Sequence, residues 1–394
     1  MSKRPIFVIF LTVFIDLVGF GIIIPLSPYL ARTFGATPFE IGLLMAVYSA
    51  MQFLFSPFWG RISDRVGRRP ILLLSIAGTG LAHLLFYYAD HLWILFLART
   101  LAGVFGANIS TAMAYIADIT SEKDRSKSMG LIGAAFGLGF ICGPALGGVT
   151  SAFGENFPAL IATGLSFLNF TMALFILKES LSPEKRQKRA AKSRIKNILE
   201  KIKQPVVGAL LFAQFSTALA MANMEASMFL YVKDKFYWDV KTASYGFAYV
   251  GVCIAFTQGV LVRKLMPRYG ERILLVAGFI FFTLGMFVIG LSDWVWLLAI
   301  AMTSLALGNG MINPSVTGGL SLLTPPTEQG EIIGVNHSLA ALARIIGPAV
   351  GGYIYMHISM SSPFYLAAGL GVAGLLFVWK ARNSIPNAGK VIPS

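Results

Sequence analysis

Apolar residues in this chain fall in long blocks separated by short polar stretches. Twelve blocks approach or exceed the roughly 20 residues a helix needs to cross a bilayer core. They cover residues 6–30, 40–59, 71–89, 92–115, 128–152, 157–177, 206–232, 243–262, 273–291, 294–318, 332–355 and 362–381. A helix apolar on every side has no face for water and belongs in lipid or protein interior. Outer-membrane strands would read as short alternating segments instead. No small-residue cleavage pattern follows the first block, so it is expected to stay as a span. The pattern predicts an all-α integral membrane protein with twelve transmembrane helices.

Composition supports that reading. Charged residues make up 13% of the 394, about half of what a soluble domain carries. Cys142 and Cys253 both sit inside apolar blocks and read as small buried residues rather than a disulfide. The net charge of +14 would suggest nucleic acid in a soluble chain, but here its placement matters more. With the N-terminus inside, 26 of the 32 Lys and Arg fall on the cytoplasmic side, and Arg32, Lys233, Lys235 and Lys241 on the other. Such a bias predicts both termini cytoplasmic and a lipid bilayer, not nucleic acid, as the partner. The stretch 178–204 holds ten basic and three acidic residues, with Ile195, Ile198, Leu199 and Ile202 at helical spacing. It reads as a linker lying on the anionic inner leaflet.

Six blocks on either side of that linker suggest duplication. Residues 130–148, GLIGAAFGLGFICGPALGG, match 334–352, GVNHSLAALARIIGPAVGG, at eight of nineteen positions. RRPILLL after block 2 has a counterpart in GERILLV after block 8. The expected architecture is two pseudo-symmetric six-helix bundles, 1–177 and 205–394, joined by 178–204, with cargo held between them near mid-membrane. Proline inside a helix removes a backbone hydrogen bond and bends it, and neighbouring glycines let another helix approach. Gly143, Pro144, Gly147, Gly148, Gly347 and Pro348 are therefore candidate bends that open and seal one side.

Gly60-Arg61-Ile62-Ser63-Asp64-Arg65-Val66-Gly67-Arg68-Arg69 resembles the signature loop between helices 2 and 3 of the major facilitator superfamily. Arg99-Thr100-Leu101-Ala102-Gly103 is similar to a second family motif, with Ala102 where the family usually has glutamine. The segment from Gly139 to Gly148 resembles the helix 5 motif of proton-coupled antiporters. Asp16, followed by Gly19, Gly21, Pro25 and Pro28, looks like helix 1 of the drug:proton antiporters, tetracycline exporters among them. The resemblance covers nearly the whole chain. It implies that Gly60, Asp64, Arg65, Gly67, Arg68 and Asp118 form a latch between the halves in the outward-facing state. Asp64 can pair with Arg65 or Arg68, and Asp118 with the same arginines.

Asp16, Arg99, Glu225, His337 and Arg344 are the ionisable side chains read within the blocks. Such groups are costly in hydrocarbon and mark pathways, partners or coupling sites. Asp16 is a candidate for proton coupling, for counter-ion to a cationic cargo, or for a structural pair with Arg99. Glu225 reads as a cargo contact or a vestibule residue. Arg99 reads as structural or as a modulator of Asp16, and His337 as a relay or as a simply hydrogen-bonded side chain. Arg344 precedes Gly347-Pro348 and is a candidate to bind helix-end carbonyls. Asn108, Gln214, Asn223, Tyr245, Tyr249, Gln258, Asn309 and Asn313 are candidate cargo-lining residues, polar anchors in apolar walls. The sequence has no nucleotide-binding loop, no metal-spaced His/Cys/carboxylate cluster and no hydrolase elbow. A non-enzymatic, cofactor-free monomer in the inner membrane is expected, exporting a small amphiphilic compound against protons. A lipid, lysolipid or metabolite carrier on the same scaffold is the alternative.

Overall fold

The computed structural model describes residues 4–120, 122–181, 200–325 and 328–385, which are helical almost throughout with no β-strand among them. The basic segment 182–199 lies outside the described residues, and with it the expected linker helix. The first helices are α1 (Arg4–Thr33), α2 (Pro38–Val66), α3 (Arg68–Tyr87), α4 (Leu92–Phe105), α5 (Ile109–Ile119), α6 (Glu122–Thr150) and α7 (Phe157–Ile176). Beyond the linker come α8 (Pro205–Phe236), α9 (Val240–Phe256), α10 (Arg263–Leu291), α11 (Val295–Leu322), α12 (Gln329–His357) and α13 (Ser362–Ala381). Ten stretches among the described residues are long and apolar enough to span a bilayer. One of them, Val240–Leu291, has 52 residues, about 78 Å of helix and more than twice a bilayer core. It contains a π-helical turn at Thr257–Val262 and a break at Gly270, where φ is 76°.

Local chemistry sets the helix ends. Pro38 and Pro205 open α2 and α8, and Pro158 and Pro363 lie at the start of α7 and α13, where a missing N–H costs nothing. Asp239 caps α9 by accepting the Thr242 N–H at 2.8 Å. The block predicted at 92–115 divides at Gly106–Asn108, although α4 and α5 still form one stretch of 28 residues.

The described chain groups into two compact units. One comprises Met1–Thr37, Leu44–Ala191 and Tyr237–Tyr249; the other comprises Pro38–Leu43, Lys192–Phe236 and Val250–Ser394. Short stretches of α2 (Pro38–Leu43) and α9 (up to Tyr249) group apart from the rest of their helices. In the first unit Ile9, Val13 and Leu17 of α1 pack with Leu72 and Ile76 of α3, Tyr115 and Ile116 of α5, and Leu177 after α7. In the second, α10 and α11 cross at glycines: a Cβ on Gly285 would lie 2.5 Å from Leu305 N. Lipid tails are as apolar as leucine, so close packing rather than escape from water joins these helices.

Candidate functional site

The break between α4 and α5 creates the polar centre of the first unit. Gln52 Nε2 on α2 donates to the Gly106 carbonyl at 3.1 Å and lies 3.3 Å from Tyr48 Oη. That bond satisfies a carbonyl at the break. It leaves Asn108 at the N-terminus of α5, where Asn108 Nδ2 reaches Asp16 Oδ2 on α1 at 3.3 Å. Asp16 Oδ1 is buried and has no hydrogen-bond partner among the described residues. A buried, unpaired carboxylate oxygen is expensive unless a proton or cation meets it.

Arg99, 2% exposed on α4, makes no ion pair with Asp16. Its guanidinium instead lies 4.6 Å from the Tyr48 ring centroid and 6.0 Å from that of Phe20, and its Nε has no hydrogen-bond partner among the described residues. Cation–π contact replaces the salt bridge. His83, which also lies within a predicted span and escaped the sequence reading, is buried at 4% on α3. Its Nδ1 is 3.3 Å from Ser166 Oγ on α7, and a Cβ on Gly19 would come within 3.2 Å of its ring. A glycine three residues after Asp16 makes room for that ring.

In the second unit, Gln214, Asn309 and Asn313 come together. Gln214 Nε2 donates to Asn313 Oδ1 at 2.9 Å, and Asn313 Nδ2 donates to Asn309 Oδ1 at 2.9 Å. Gln214 Oε1 stays buried without a partner among the described residues. Glu225 on α8 and Arg344 on α12 attract one another electrostatically. Asn223 does not line open space: it is 1% exposed, and its Nδ2 donates to the Pro363 carbonyl at 2.6 Å, fastening α8 to α13. Tyr245 and Tyr249 are exposed at 42% and 43%, and Gln258, in the π-helical turn, and His337 are exposed as well.

The 60–69 segment is closely bonded. Gly67, at φ 120°, ends α2 and begins α3. Arg68 turns inward: its Nη1 lies 2.6 Å from Asp64 Oδ1 and 2.7 Å from Ser63 Oγ, and its Nε is 3.1 Å from Asp118 Oδ2. Of the two arginines expected to pair with the aspartates, Arg68 holds both, while Arg65 is exposed. Gly60 lies beside Ser110. Glu179, just after α7, was not foreseen. Its carboxylate accepts the N–H groups of Arg68 and Arg69 at 2.8 and 3.2 Å, capping α3 where the helix leaves its first donors free. Nothing in the charged run KES marked it, because its partners lie 110 residues earlier.

The two GP..GG segments lie in unbroken helices, since α6 and α12 run on through Pro144 and Pro348. Their observed role is close approach. A Cβ on Gly143 would sit 2.7 Å from Gly21 Cα, and one on Gly347 would sit 2.9 Å from Asn223 N. Gly147 faces Ile22, at 3.4 Å. On the other side, Gly148 meets the first turn of α9 at Lys241 and Ser244, and Gly352 meets the Pro38 carbonyl of α2. These contacts explain why short stretches of α2 and α9 change units.

Spanning helices with buried, bonded polar groups between them are the build of a multi-pass membrane carrier. The profile of the Major Facilitator Superfamily matches residues 9–268 and 210–393, and the chain belongs to that superfamily of membrane transporters. It is 32% identical over 360 residues to "Tetracycline resistance protein, class E" of Escherichia coli, covering 90% of this chain and 88% of that protein. It is 30% identical over 390 residues to "Multidrug resistance protein 2" of Bacillus subtilis (strain 168), covering 97% of each. The human organic anion transporter MFSD10 (TETRAN) has a similar fold, with a TM-score of 0.73, 22% identity, and coverage of 95% of this chain and 99% of that one.

Proposed function

We propose that this chain is a proton-coupled antiporter that exports a small amphiphilic organic compound by alternating access. It sits in the inner membrane as a monomer, with twelve crossings in two six-helix bundles, 1–177 and 205–394, and both termini cytoplasmic. The 52-residue stretch supports two crossings with its break at Gly270, and the apolar 137–153 stretch supports another. The Lys and Arg bias supports the orientation. The relatives named for resistance to tetracycline and to multiple drugs support the cargo class.

Asp16 carries the reading. One carboxylate oxygen is held by Asn108 and the other is buried without a partner among the described residues, so a proton and a cationic cargo group can compete for one acid. Arg99, caged by Phe20 and Tyr48 rather than clamped to Asp16, leaves that acid free to exchange. Gln214, Asn309, Asn313 and Glu225 serve as cargo contacts, and Tyr245, Tyr249, Gln258 and His337 line the route. Arg68 with Asp64 and Asp118 acts as the latch, and the glycine crossings at Gly143, Gly148 and Gly347 give the moving helices smooth bearing surfaces. Asp16→Asn should abolish cargo-driven proton release from proteoliposomes while the protein still reaches the membrane. Full coupling in that variant would remove Asp16 from the mechanism.

A further inference from the structure

The second unit carries a groove of about 290 Å³ between α10 and the end of α13 that no cargo role accounts for. Arg272, Arg382, Trp379, Ile273, Val276 and Ile280 line it, Arg272 beginning the α10 stripe and Arg382 directly following the last residue of α13. No acid lines it; the neighbouring Glu271 is buried at 5% against Gly318 on α11. Arg382 is pre-positioned, with its guanidinium 4.1 Å from the Trp379 ring centroid and Nη1 donating to the Trp379 carbonyl at 3.0 Å. That leaves most of its donors unused. Arg272 forms no hydrogen bond or ion pair among the described residues. Two guanidiniums beside one groove repel unless an anion joins them.

The walls identify the kind of anion. Ile273, Val276 and Ile280 follow helical spacing along one face of α10, and Ile273 and Ile280 are 50% and 45% exposed. From Arg272 to Ile280 that stripe runs about 12 Å along the axis, far longer than a phosphate needs and suited to the upper part of an acyl chain. Trp379, half exposed, is the side chain that settles at the level of lipid headgroups. A cationic end, an interfacial tryptophan and an apolar trough match one occupant in shape and charge. We infer that the groove binds an anionic phospholipid, its phosphate between Arg272 and Arg382 and its acyl chain along α10. The site lies just after the Gly270 break and joins the Arg272–Ile280 stretch of α10 to the end of α13.

Native mass spectrometry of the detergent-purified full chain, titrated with phosphatidylglycerol or phosphatidylethanolamine, tests this. The wild type should retain phosphatidylglycerol in preference, and R272Q/R382Q should lose about tenfold of that retention. The charge-matched control R263Q/K264Q should keep it, and thermal unfolding in detergent checks that both variants are folded. I280S, which leaves both arginines, should weaken lipid retention but not any binding of inorganic phosphate. Equal retention in R272Q/R382Q, equal loss in the control, no preference between the two lipids, or displacement by inorganic phosphate at matched concentration would each overturn the assignment.

Discussion

Gly67 and Gly270 both swing the backbone to positive φ, at 120° and 76°, and both stand where one helix gives way to the next. The residues after the two glycines are held in different ways. After Gly67 comes Arg68, 7% exposed, held by Asp64 and Ser63 of α2 and Asp118 of α5, while Glu179 from beyond α7 caps the new helix. After Gly270 comes Glu271, 5% exposed, an acid supplied by the chain itself at a helix start, where the dipole favours it. The first is held by two near neighbours across the turn, Ser63 and Asp64, and by two distant groups, Asp118 and Glu179; at the second, Glu271 packs against Gly318 of α11. The same backbone device, a positive-φ glycine between two helices, stands at both places, followed by an arginine in one and a glutamate in the other.

The contrast can be broken most forcefully at Arg68. Arg68→Ala strands Asp64 and Asp118 and should cost about 3 kcal/mol, read as a lowered unfolding temperature together with a severe loss of transport rate. Unchanged stability would mean that the aspartates do not depend on this cation. Next in size is the pair of glycine substitutions. Gly270→Ala should cost about 1–2 kcal/mol from strain at positive φ. Gly67→Ala should cost more, because its Cβ would also collide with the Glu179 carboxylate; equal costs would remove Glu179 from the comparison. The smallest effect is expected for Glu179→Gln, about 0.5–1 kcal/mol through a weaker cap on α3. Hydrogen exchange at the Arg68 and Arg69 amides should report it, and unaltered exchange there would refute the cap.

The parts that could be read from sequence were those encoded over short distances. Asp64 and Arg68 are four residues apart across the turn at Gly67, so their pairing could be anticipated, and the long apolar blocks announced the spans. Gly106-Ala107-Asn108 gave no sign of a break, because what holds it is Gln52 of another helix. His83 was overlooked in an apolar run, and its neighbours on α1 and α7 appear only after folding. Asn223 looked like a cargo contact by its type, but its amide is used in bonding the start of α13. Residue type indicates that a group needs a partner, whereas the fold decides which one.

The crossing of α1 and α6 has a consequence for how this transporter can change over generations. Gly21 meets Gly139 and Gly143 backbone to backbone, and Asp16 lies five residues away on the same helix, about 7.5 Å along its axis. The acid's position is thus registered by main chain, with no intervening side chain to drift. Mutations can remodel the surfaces that choose a cargo, broadening or narrowing the range of compounds tolerated, while the buried acid keeps its alignment.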